Sequence, residues 1–179
     1  DEDDRVRKEV EKMLRDDDRI VKEIEKRLKD LLDRDRKVVR EVRELVEELL
    51  RRLEKVIKDG APEEVIREIV ERIRKRLKEL LEKSAKTVDE IRKLIEELLK
   101  KSKKSVDDLV KRLEDVRREG SISEEDVDRL RREVDKSNKD TKKILDEVRK
   151  EVEDSLRKTK KIIDDALRRV DELLKEAER

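Results

Sequence analysis

Aliphatic residues recur along this chain every three or four positions, in three stretches separated by two short breaks. That spacing places them on one face of an α-helix. A seven-residue period describes the pattern only locally. Val70, Leu77, Ser84, Ile91, Leu98 and Ser105 keep step until Arg112. Val127, Val134, Thr141, Val148, Ser155 and Ile162 do the same until Arg169, and Ile24, Leu31, Val38 and Leu45 until Arg52. A stripe that slides off seven is what a straight helix requires, because it drifts ~20° per heptad. Eighteen residues make five turns at ~3.6 residues per turn, and that period fits throughout. Val6, Ile24 and Val42 align, as do Val10, Leu28 and Val46, and Leu14, Leu32 and Leu50. The second stretch aligns Val70, Val88 and Val106, and Ile73, Ile91 and Leu109; the third aligns Val134, Val152 and Val170, and Val127, Leu145 and Ile163.

The breaks coincide with the few residues that stop helices. Gly60 and Pro62 lie together, and Glu63 and Glu64 follow them. Glycine suits the left-handed C′ position, proline suits N1, and the acids face the positive end of the next helix dipole. At the second break Gly120 precedes Ser123, an N-cap with Asp126 at N3; Ile122 and Val127 stand where a hydrophobic staple places its pair. The predicted helices run over 3–59, 62–119 and 124–178, each ~80–85 Å long. Connections this short make neighbours antiparallel. The expected fold is therefore all-α: one domain over residues 1–179, a single-chain up-down-up bundle of three long, nearly straight helices.

The same period isolates polar residues at apolar seats. Asp17 and Asp35 stand where Leu53 stands one repeat later, with the alignment favouring Asp17 over Asp18 as the inward residue. Ser84 and Ser102 take the seat of Ile66, and Thr87 and Ser105 that of Ile69. Ser137 and Ser155 precede Leu173, Asn138 precedes Leu156 and Leu174, and Thr141 and Thr159 precede Ala177. Folding the chain at its breaks brings these to two heights. Asp17, Ser102, Ser105, Ser137, Asn138 and Thr141 form one predicted layer; Asp35, Ser84, Thr87, Ser155 and Thr159 form the other. A buried carboxylate accepts several hydrogen bonds and each hydroxyl supplies a donor, while an unpaired member costs ~1–3 kcal/mol. Such layers fix register and helix pairing when fully satisfied.

Composition sharpens this picture. Of 179 residues 60% are charged and 32% apolar, yet 54 basic and 53 acidic residues leave a net charge of +1. Balanced charge with regular apolar spacing argues for long helices rather than disorder. There is no Phe, Trp, Tyr, His, Cys or Gln, a single Asn and a single Met. The acidic start, Asp1 to Asp4, lacks the apolar segment of a signal peptide, and no run approaches the ~18 apolar residues of a membrane span. A soluble protein is expected.

Three equal helices, an eighteen-residue aliphatic repeat and Asp/Ser/Thr/Asn layers resemble the computationally designed, parametrically generated helical bundles with buried hydrogen-bond networks. The resemblance covers the whole chain and implies a scaffold, or a test of core polarity, with no natural activity. Enzymatic function is not expected, since Asp beside Ser or Thr, without His or a core lysine, is not an activated nucleophile. One Asp per layer is too few for a Ca²⁺ or Mg²⁺ site, and no cofactor is implied. The runs Lys100-Lys101-Ser102-Lys103-Lys104 and Lys158-Thr159-Lys160-Lys161 are followed by Asp107, Asp108, Asp164 and Asp165, and no aromatics are present for base stacking. They read as solvated helix faces, not a nucleic-acid surface. No partner is required; a monomer is expected, against the alternative of an assembly module that oligomerises or opens to pair with other helices.

Overall fold

The computed structural model describes residues 2–179, so Asp1 of the acidic start lies outside the described residues. Three helices account for nearly all of them: α1 (Glu2–Lys58), α2 (Glu63–Glu119) and α3 (Glu124–Glu178). Each boundary falls within one residue of its predicted place. Gly60, at φ 76°, ends α1 in a Schellman motif: its N–H donates to the Ile57 carbonyl at 3.1 Å and that of Ala61 to Val56 at 3.3 Å. The Pro62 carbonyl accepts the first bond of α2, from Ile66 at 3.1 Å. Pro62 is therefore the N-cap, one place before the expected N1. Gly120, at φ 69°, closes α2 by donating to Val116 and Arg117. Ser123 caps α3 as expected, its Oγ accepting from the Asp126 N–H at 3.2 Å, and the staple residues Ile122 and Val127 are both buried.

The chain divides into two compact units. One comprises Asp1–Leu31 with Arg92–Arg149, the other Leu32–Ile91 with Lys150–Arg179, so each contains a segment of every helix. In the first unit Val6 and Val10 of α1 pack with Val106, Leu109, Leu113 and Val116 of α2, and with Val127 and Val134 of α3. Glu9 pairs with Arg112 at 2.8 Å and Glu23 with Lys101 at 3.5 Å, which sets α1 and α2 antiparallel there. In the second unit Val42, Val46 and Leu53 meet Ile66, Val70, Ile73 and Leu77, and Ile163, Val170 and Leu173 complete the core. Arg74–Asp171 (2.6 Å) and Arg67–Glu178 (3.1 Å) place α3 antiparallel to α2. Arg36–Glu151 (2.8 Å) and Glu54–Arg169 (3.7 Å) place it parallel to α1. The architecture is the up-down-up three-helix bundle. These exposed ion pairs report register and contribute little stability, roughly 0–1 kcal/mol each.

Burial follows the eighteen-residue repeat. Val6, Ile24 and Val42 are all buried, as are Val10, Leu28 and Val46, whereas Leu14, Leu32 and Leu50 are all half-buried. The aligned sets of α2 (Val70, Val88, Val106 and Ile73, Ile91, Leu109) and of α3 (Val134, Val152, Val170 and Val127, Leu145, Ile163) are buried at every position. The heptad drift is equally visible: Arg52 is exposed, and Arg112 and Arg169 sit at the edge of the stripe.

The polar layers as the candidate functional site

Each unit contains one predicted layer. In the first, Asp17 is 3% exposed and the neighbouring Asp18 faces solvent, as five-turn repetition requires of a seat shared with Leu53. Ser102 and Thr141 are buried, while Ser105, Ser137 and Asn138 are half-buried. Ser105 Oγ donates to Asp17 Oδ1 at 2.6 Å, a charge-assisted bond from α2 to α1. Thr141 Oγ1 is buried with no partner among the described residues.

The second layer uses a different helix. Asp35 is 4% exposed, Ser84, Thr87 and Thr159 are buried, and Ser155 is half-buried. Here the carboxylate accepts its hydrogen bond from Ser155 of α3. The Thr87 hydroxyl turns back to its own helix and donates to the Lys83 carbonyl at 3.0 Å. This is the usual alternative for a helical threonine. Thr159 Oγ1, wholly enclosed, has no partner among the described residues. Each carboxylate is thus tied to one neighbouring helix through one serine.

Asp35 also experiences an unfavourable field. Burial raises its pKa above the ordinary 3.8; the Ser155 bond opposes that shift, the Glu151 charge adds to it, and Arg36 draws it back slightly. Arg36 is engaged elsewhere, its Nη2 and Nε donating to Glu151 Oε1 at 2.8 and 3.2 Å. Sequence reasoning missed this pair. Two more charged residues in a chain 60% charged carry no signal until the register of α1 against α3 is known.

The chemistry available is limited. Serine donating to a carboxylate is not a nucleophile made ready, because a carboxylate is too weak a base to take an alcohol proton and there is no histidine. Among the described residues no group of three or more acidic side chains could hold a metal ion, and no helix is long and apolar enough to cross a membrane. The lysines at 100, 101, 103, 104, 158, 160 and 161 are all exposed.

No protein-family model matches the chain, and no curated protein matches it. Among solved structures it is similar to a computationally designed three helix bundle, 20% identical, over 98% of this chain and 87% of that one, with a TM-score of 0.42. A superposition that loose does not bear on function.

Proposed function

We propose that the chain is a structural scaffold of designed origin, monomeric and without a natural biochemical activity, whose polar layers select which helix faces meet. The observation that supports this reading is the repetition of burial every eighteen residues in all three helices, with Asp17 and Asp35 buried at equivalent seats. Each places a carboxylate at a position where an aliphatic residue packs further along the repeat. Ion burial of this kind rarely adds stability, and its best-attested use is to fix register and pairing.

The test converts the second layer into the apolar repeat: Asp35→Leu, Ser84→Ile, Thr87→Ile, Ser155→Leu and Thr159→Ala, following Leu53, Ile66, Ile69, Leu173 and Ala177. The variant should stay helical and gain up to about 1–4 kcal/mol. Its amide NMR spectrum should lose uniqueness, with extra or broadened resonances. Ser155→Ala alone should instead lower the unfolding midpoint, because it leaves Asp35 buried without its donor, at ~1–3 kcal/mol. Equal midpoints for the two variants, or a single sharp spectrum from the apolar one, would defeat the proposal. A light-scattering mass above that of one chain would replace the monomeric scaffold by an assembly module.

A further inference from the structure

Within the second unit α1 and α2 leave an open groove of about 760 Å³ between them. Its walls are aliphatic, supplied by Leu45, Leu49 and Val56 from α1 and by Ile69 and Ile73 from α2. Its rim is cationic: Arg52, Lys55, Arg72 and Arg76 line it against a single carboxylate, Asp59. Arg52 is bound by Glu48 at 2.5 Å and Arg76 faces Glu79 at 3.6 Å, both on their own helices. Neither Arg72 nor Lys55 has an ion pair among the described residues.

The repeat shows that this charge pattern is particular to the groove. Arg52 and Arg72 occupy seats that recur every eighteen residues along the two helices. One repeat away the same seats hold Arg34 and Glu90, which close on each other at 3.5 Å. Two repeats away they hold Asp16 and Asp108, in the first unit, lining a smaller groove of about 380 Å³ together with Lys101 and Lys104. The fold therefore presents one geometry with three charge patterns: complementary at Arg34 and Glu90, acidic at Asp16 and Asp108, and basic at Arg52 and Arg72. Where the pair is complementary it bridges the helices. Where both seats are arginine no such bridge can form, and the groove with its aliphatic walls lies between the two helices.

We propose that this groove is a binding site for a single-chain anionic amphiphile, an alkyl carboxylate or sulfate whose chain lies on Leu45, Leu49, Val56, Ile69 and Ile73 while its head group sits between Arg52 and Arg72. The volume is within the ~300–1,000 Å³ of small-molecule sites, and the combination of an apolar lining with a few convergent polar groups is what such sites require. Guanidinium groups suit the head, since each offers a planar donor fork to a carboxylate or sulfate.

Calorimetric titration of the full chain with sodium dodecanoate, below its micelle concentration, tests the site against acetate and dodecyltrimethylammonium. Dodecanoate should bind one per chain, at least about tenfold tighter than the cationic amphiphile, with no measurable heat from acetate. Arg72→Glu recreates the arrangement of Arg34 with Glu90. It should weaken dodecanoate by at least about tenfold without lowering the urea midpoint, so loss of binding is not loss of fold. Equal affinity for the two amphiphiles, binding of acetate as tight as that of dodecanoate, or an unaltered affinity in Arg72→Glu would each overturn the proposal.

Discussion

Replacing Asp35 by leucine is the most informative single perturbation of this core. The equivalent seat one repeat later already holds Leu53, fully enclosed, so the leucine has a geometric precedent in the same helix. Burying a leucine side chain is worth ~1.5–3 kcal/mol. The substitution also removes a carboxylate whose surroundings, taken together, favour its neutral form despite the Ser155 bond. Against these gains stands the loss of that hydrogen bond, offset in part because Ser155 is half-buried and regains water. The net expectation is a stabilisation of about 1–3 kcal/mol at neutral pH, which for a chain of this size is ~2–4 °C of melting temperature per kcal/mol.

The pH dependence gives the sharper discrimination. Because the folded pKa of Asp35 is raised above 3.8, the folded protein keeps its proton in a window where the unfolded chain has lost it. In that window the folded state binds more protons, so wild-type stability falls as pH rises. Below it both states are protonated and the penalty vanishes. The advantage of Asp35→Leu should therefore be smaller near pH ~3, where only the burial of the leucine contributes, and grow toward neutrality. Urea denaturation followed by far-UV ellipticity measures it, the chain having no aromatic residue to report by fluorescence. A variant no more stable than wild type at neutral pH, or an advantage independent of pH, would refute the reasoning.

Two further outcomes follow from particular side chains. Thr159→Val exchanges a wholly buried hydroxyl, unpaired among the described residues, for a methyl of similar shape and should raise stability by about 1 kcal/mol, read as a higher urea midpoint; a lower midpoint would show that the hydroxyl is engaged. Gly60→Ala should lower stability by about 1–2 kcal/mol through the backbone alone, since φ is 76° and open space surrounds the added Cβ; an unchanged midpoint would mean the turn relaxes out of the left-handed region.

Much of the fold is legible in the residues alone because burial here is governed by angle around a helix, and angle is arithmetic. The eighteen-residue alignment chooses Asp17 over Asp18 and groups Val10, Leu28 and Val46 apart from Leu14, Leu32 and Leu50, but only the structure shows the first set enclosed and the second half-buried. Hydrogen-bond partners are not legible in the same way. Asp17 takes its proton donor from α2 and Asp35 from α3, although the two carboxylates occupy equivalent seats. That choice depends on side-chain torsions and on which hydroxyl prefers its own backbone, as Thr87 does with Lys83. Which seats turn polar follows from periodicity, but hydrogen bonding at those seats is settled one rotamer at a time. The like-charged seats at Arg52 and Arg72 fall between these cases. Their residues are plain in the sequence, but their opposition across α1 and α2 emerges only with the register.

The glycine turns acquire a second significance from the repeat. A helix displaced along its neighbour by five turns, ~27 Å, would again set most aliphatic side chains against aliphatic side chains. Such vernier coincidences are competing minima that a less regular sequence does not have. The left-handed corners at Gly60 and Gly120, each closed within a few residues, tether each helix to the next in the chain and leave no slack for that slide. Cleaving either corner would therefore do more than cut the chain: it would free the severed helix to settle at a wrong step of its own ladder.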